Sequence, residues 1–252
     1  GMLQTHMHPI LQFVVRGLCG AVACAPCLIS RETPATDERP ETARFLRSSG
    51  TEWVAESEIR IRPSKDGTVI TSVTGREKSN LTLVARFDSD NRLVEATVTT
   101  ERGDEKQSAT VAVTDGKAGV TRHNGENTEL DCPRGVLVTS APDWTDAFLM
   151  TRRYDRARGG KQEFAGLWIH PTQQPLRPTF TITRQGEDTV EHQGETVRLD
   201  RYAITLRGGS RYVGWSDAKG RLIKLVPESA PRGGIVLEGW EQATKSLNPP
   251  AK

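Results

Sequence analysis

The sequence predicts a mainly β protein, with one body domain at about residues 51–240 and one short central helix. Three observations carry this reading. Apolar and polar residues alternate with period two along most of the chain from Thr51 onward. The dipeptides Asp66-Gly67, Asp115-Gly116 and Asn124-Gly125 punctuate that alternation; they supply the positive φ angles of tight hairpins and so make neighbouring strands antiparallel. One stretch changes to spacings of three, four and seven, at Trp144, Ala147, Phe148 and Thr151.

Taken in order, Trp53, Ala55, Ile59 and Ile61 mark the first strand. Val69 and Val73 mark the next, after the Asp66-Gly67 turn. Leu81, Leu83, Ala85 and Phe87 share one face of a third, Leu93, Ala96 and Val98 of a fourth, and Ala109, Val111 and Val113 of a fifth. Val120 opens a shorter strand, and residues 130–138 form one interrupted by Pro133 and Gly135. The helix follows at about 144–156. Asp143 can cap it and Asp146 stands in its first turn; Arg152, Arg153, Arg156 and Arg158 crowd its end, and Gly159-Gly160 stops it. Strands resume at 164–169, 176–182, around Val190, and at 197–206, 212–215, 222–226 and 235–237. Residues 31–50, rich in charge, Pro, Thr and Ser, read as a polar linker, and residues 241–252 as a flexible tail. A weak internal echo sets RFDSDNRLVEATV (86–98) beside GWSDAKGRLIKLV (214–226), with Phe87 answering Trp215 across an acidic turn.

Composition narrows the function classes. The 252 residues include 34 basic and 32 acidic ones, a net charge of +2, which argues against a dedicated nucleic-acid binder. No run of about 18 apolar residues free of charge is present, so no ordinary membrane-spanning helix is expected in the mature chain.

Residues 17–27 read GLCGAVACAPC and hold three of the four cysteines, Cys19, Cys24 and Cys27. The spacing is that of plant-type ferredoxin ligands, with Cys132 as a fourth, but the apolar surroundings are unlike a cluster-wrapping loop. The preferred reading is an export signal over residues 1–30: residues 17–29 carry no charge, Arg16 precedes them, and Ala21-Val22-Ala23 has the small-x-small form of a cleavage site. Ala21-Val22-Ala23-Cys24 is also a weak lipobox, which makes Cys24 a candidate for lipidation. A plain apolar helix with buried thiols is the remaining alternative.

Little else names a reaction. His6, His8, His123, His170 and His192 show no metal-ligand spacing in the body. No G-x-S-x-G elbow is present, Ser210 lies in a turn, and Cys132 has no local activator. Glu56 with Glu58 and Glu187 with Asp188 are candidate carboxylate pairs for glycoside hydrolysis. The run Arg152, Arg153, Arg156, Arg158 and Lys161 could meet a phosphate or an acidic headgroup. No catalytic, cofactor-binding or metal-ligating residue is assigned.

Residues 144–153, of the form D-W-x-x-A-F-x-x-x-R with Asp143 ahead of them, are followed by Gly160-Lys161. With residues 197–226, they resemble a group of exported bacterial β-proteins known only as domains of unknown function. Trp168-Ile169-His170-Pro171, with Pro175-Leu176-Arg177, is similar to a strand–turn–strand of periplasmic lipoprotein-carrier proteins, although an Asp often stands there in place of His170. The resemblance implies a strongly curved antiparallel sheet, or open barrel, wrapped around the helix, and a cell-envelope location, periplasmic or exported. Such a sheet can leave an apolar groove, for which Trp144, Phe148, Trp168 and Trp215 are the candidate lining. The expected function is that of a non-catalytic envelope protein, binding an apolar or lipid-like ligand in the concave face or engaging an envelope protein partner. The alternatives are an interaction module with a filled core and a hydrolase whose site the sequence leaves unmarked.

Overall fold

Tight turns decide the topology. Asp115 and Gly116 adopt φ angles of 50° and 75°, and Gln193 and Gly194 angles of 52° and 80°, the paired positive values that type I′ hairpins demand. The computed structural model describes residues 40–49, 51–76, 79–140, 144–230 and 233–249. All belong to one unit, Asp37–Lys252. Its first eight strands are β1 (Glu41–Ser49), β2 (Glu52–Ser64), β3 (Gly67–Arg76), β4 (Ser79–Asp88), β5 (Leu93–Arg102), β6 (Glu105–Thr114), β7 (Lys117–Thr121) and β8 (Asn127–Asp131). They pair as an antiparallel meander. After β9 (Leu137–Thr139) and helix α1 (Thr145–Arg153), a second meander runs through β10 (Lys161–Trp168), β11 (Thr179–His192), β12 (Glu195–Thr205), β13 (Arg211–Ser216), β14 (Leu222–Pro227) and β15 (Ile235–Leu237).

β1 pairs with β15 and joins the two meanders into a single curved sheet, not closed into a barrel, with β8 and β9 at its ends. The mainly β class with one helix is therefore what the structure shows. β9 lies parallel to β10, the one parallel pairing among the described residues. It replaces the second half of the interrupted strand expected at 130–138: Pro133 and Gly135 break the chain there, and β8 and β9 go to opposite ends of the sheet.

Where β8 and β9 fail to meet, the loop after β10 bridges them. The amide of His123 donates to Pro171 O at 2.9 Å, Gln174 Nε2 to Thr128 Oγ1 at 3.2 Å, and Arg177 pairs with Asp131 at 3.0 Å. The gap is closed by side chains and one backbone bond rather than by a ladder.

Registered rows across β2–β6 show why the concave face holds a core. One row reads Ile61, Ile70, Ala85, Ala96, Val111; the next reads Ile59, Ser72, Leu83, Val98, Ala109. Apart from Ser72 these are small or branched apolar residues, nearly all fully buried, and α1 fills the space they enclose. Phe148 meets Phe45 edge-on with ring centroids 6.2 Å apart, and Tyr154 meets Tyr202 at 5.1 Å.

Several expected boundaries are corrected. Residues 41–49, read as part of the linker, form β1: their polar composition hides the alternation of Ala43 and Phe45, which are buried against α1 and β15. The helix stops at Arg153, because Tyr154 turns to extended backbone (ψ 118°), and Asp155 then accepts from the amides of Ala157 and Arg158. Trp144 holds the N-cap position without a side-chain cap; Asp143 lies outside the described residues, as do residues 1–39 with Cys19, Cys24 and Cys27. Residues 241–249, read as a tail, are held: Thr244 and Leu247 are buried, and Lys224 Nζ donates to Thr244 O and Leu247 O, both at 2.7 Å.

Candidate functional site

The rows change character toward one end of the sheet. Beyond the two apolar rows lies Phe45, Ser57, Thr74, Leu81, Thr100, Gln107, in which four of six positions are polar and all share the concave face. Nothing in the period-two pattern distinguishes this row, since Thr and Ser fit a strand as well as Val does. The distinction appears only when the register stacks Ser57 on Thr74 and Thr100 on Gln107.

A cavity of about 430 Å3 opens at this polar row. Thr74, Leu81, Thr100 and Gln107 line it from the concave face, Asn80, Glu101, Arg102 and Glu105 from the strand ends, and His170 enters from the loop after β10. The hydroxyls of Ser57 and Thr74, register partners, are both buried without a hydrogen-bond partner. His170 is fixed by its own loop: the Thr172 amide, which can only donate, reaches Nδ1 at 3.2 Å. The neutral ring therefore carries its proton on Nε2. Burial, and then the charge of Arg207, lower its pKa and keep it neutral. The ring stacks on Trp168 with centroids 5.7 Å apart, and Arg207 lies 4.3 Å from the Trp168 ring centroid. The Gln107 amide, Asn80 amide and His170 Nε2–H can donate, and the hydroxyls can do either, so the cavity offers mixed hydrogen bonding with one apolar wall at Leu81.

The four aromatics expected to line an apolar groove are not brought together. Phe148 is fully buried on Phe45, and Trp144 rests on Tyr212 with centroids 6.0 Å apart. Trp168 is buried beneath His170. Trp215 is on the opposite face from Tyr212 and Gly214, and so lies on the convex side. It donates from Nε1 to Asp188 at 2.8 Å and has Lys224 6.0 Å from its ring. None of the four lines the polar cavity.

Most of the other candidates are held in structure. Glu56 pairs with Arg47, Glu58 with Arg44 and Arg60, Glu187 with Arg184, and Asp188 with Arg201. Burial alone would push the Glu58 carboxyl up, but its arginine hydrogen bonds outweigh that and leave it below the usual range. Arg153 donates to Gly135 O and to Asn91 Oδ1, and Arg156 donates to Asp217 O and Ala218 O and pairs with Asp200 at 2.6 Å. Lys161 pairs with Glu163. Cys132 is a buried free thiol whose pKa is raised by burial. Among the described residues no cluster of three metal-ligating side chains occurs, and no helix is long and apolar enough to cross a membrane.

No family model matches the chain, and no curated protein matches it. Among solved structures it is similar to a DUF1089 family protein from Pseudomonas aeruginosa, at 20% identity and a TM-score of 0.43, over 70% of this chain and 90% of that one. It is also similar to a beta-barrel-like protein of domain of unknown function DUF1849 from Brucella abortus, at 8% identity and a TM-score of 0.47, over 79% and 93%. Both neighbours carry a domain-of-unknown-function name, as the expected relatives do.

Proposed function

We propose that the chain is a non-catalytic binding protein whose concave mouth takes a small polar ligand. The observation that carries this is the polar lining of a cavity of about 430 Å3, where Thr74, Thr100 and Gln107 of the sheet meet His170. That volume falls within the range of about 300–1,000 Å3 typical of ligand sites. An acyl chain would lay methylenes on Asn80, Thr100 and Gln107 and leave their polar groups without partners. The expected apolar or lipid-like ligand is therefore replaced by one that both donates and accepts hydrogen bonds.

The test is ligand-observed and amide-detected NMR of the full chain with two fragment sets, neutral polar amides and diols in one and hydrocarbons in the other. Polar fragments should shift the amides of Thr74, Asn80 and Thr100. Gln107→Leu should weaken their binding about tenfold, the equivalent of one lost hydrogen bond. Preferential binding of hydrocarbons at these amides, or of nothing, would refute the reading.

An envelope location belongs to the same proposal and rests on the uncharged stretch at 17–29. Intact mass after expression in a bacterial host tests it. Loss of the residues before about Ser30, or diacylglycerol on Cys24, would support export; an unmodified chain would count against it.

A further inference from the structure

The long β11–β12 hairpin makes a second site, independent of the mouth. β12 meets β13 only from Asp200 onward, opposite Ser216, so residues 195–199 overhang the end of β13. The bulge between Arg184 and Gly186 bends this overhang. Between it, the β13–β14 turn and the C-terminal end of α1 lies a cleft of about 590 Å3, into which Arg198, Lys219, Arg152 and Arg221 converge.

Two acids share the cleft, and both are already committed. Glu41 Oε1 accepts from Arg152 Nη1 at 2.5 Å. Asp217 Oδ2 accepts from Arg221 Nε at 3.1 Å, while its Oδ1 takes the amides of Lys219 and Arg221, both at 2.9 Å. Among the described residues, Arg198 and Lys219 have no ion-pair partner, and the terminal Nη groups of Arg221 make no hydrogen bond. The cleft thus holds two unneutralised cations and a guanidinium fork facing one open volume. Cations held together in this way repel unless an anion lies among them. A group with two charges and several oxygens satisfies more of these donors than a single carboxylate does.

We propose that this cleft binds a phosphomonoester group, with Arg198 and Lys219 as its charge partners and Arg221 as the fork. A free phosphate ester and a phosphomonoester lipid headgroup share that chemistry.

The experiment uses the full chain and the R198Q/K219Q variant, whose altered side chains are without ion-pair partners in the fold and should leave the unfolding midpoint unchanged. Inorganic phosphate is titrated at constant ionic strength against sodium chloride, following backbone amides. Separately, the protein is sedimented with phosphatidylcholine vesicles with and without phosphatidic acid. Phosphate should shift the amides of Arg198, Ala218 and Lys219, and the double variant should weaken binding at least tenfold. Shifts by phosphate with no vesicle association would assign a soluble phosphate ester. Sedimentation that requires phosphatidic acid and is lost in the variant would assign the headgroup. Equal shifts with chloride, or an unchanged affinity in the variant, would overturn the proposal.

Discussion

Lys224 concentrates the chemistry of the convex face in one residue. It is half-buried beneath residues 240–249, over the Trp215 ring, with two carbonyls as acceptors. Burial disfavours the ammonium and brings its pKa down from 10.5 to about 8. The unfolded chain keeps that proton up to about pH 10.4, so between these values unfolding takes up a proton. Stability contributed by this group should therefore rise from pH 8 to about 10.4, with a slope below about 1.4 kcal/mol per pH unit, and be flat below pH 8. Urea titrations across that window, with Lys224→Met as the reference that removes the slope, check it. In the sequence, Lys224 is an ordinary polar position in a strand. Its burial depends on Trp240, Thr244 and Leu247 folding back, and the Lys, Asn and Pro around them gave the segment the look of a tail.

Two hairpins explain both a success and a failure of reading by element. Asp88 Oδ1 accepts from the amides of Asp90 and Arg92, and Asp217 Oδ1 from those of Lys219 and Arg221, so the echo between 86–98 and 214–226 is a real repetition of one Asx turn. The turns superpose Asp88 on Asp217, however, which sets Phe87 against Ser216 and not against Trp215. A slip of one residue exchanges the faces of a strand, and Trp215 goes to the convex side. The arginine run was legible as a helix end, but its partners are turns distant in sequence. Arg153 holds the first hairpin at Asn91 and Arg156 the second at Asp217 and Ala218. Gly220, at φ 78°, lies so close that a Cβ there would fall 2.8 Å from Thr151 O. Arg156→Ala should then cost about 1–2 kcal/mol, since Asp200, a nearly buried carboxylate, keeps Arg184 but loses its second cation, and the carbonyls of Asp217 and Ala218 lose a donor. Arg158→Ala, with an unpaired side chain, should stay within about 0.5 kcal/mol. Chemical denaturation of the two variants separates the outcomes.

At the scale of the whole molecule, hairpin dipeptides and alternation made the fold class readable, because local turns build most of both meanders. The joins were not readable. β1 lies in charge-rich sequence, and β8 and β9 part where composition suggests one strand. The seam between the sheet's ends rests on Gln174, Arg177 and one backbone bond at His123, so it should open before the meanders do. Replacing Gln174 and Arg177 by Ala should speed hydrogen exchange in β7 and β8 by about tenfold and leave β2–β4 unchanged, as peptide-resolved exchange would show. The polar row was hidden for a related reason: only register puts Ser57, Thr74, Thr100 and Gln107 side by side.

The β1–β15 junction also sets how the molecule bears load. Three registered pairs hold it, Phe45 with Leu237, Leu46 with Val236 and Arg47 with Ile235, with one further backbone bond from the Glu238 amide to Arg44 O at 2.9 Å. The strands run in opposite directions, so Glu41 and Leu237 leave the junction on the same side. Tension applied at those two points peels the pairs one after another, where a pull along the strands would have to shear all three at once. A tether pulling on the residues ahead of β1 would thus separate the two meanders before stretching either, and the sheet would yield like a zipper at its middle.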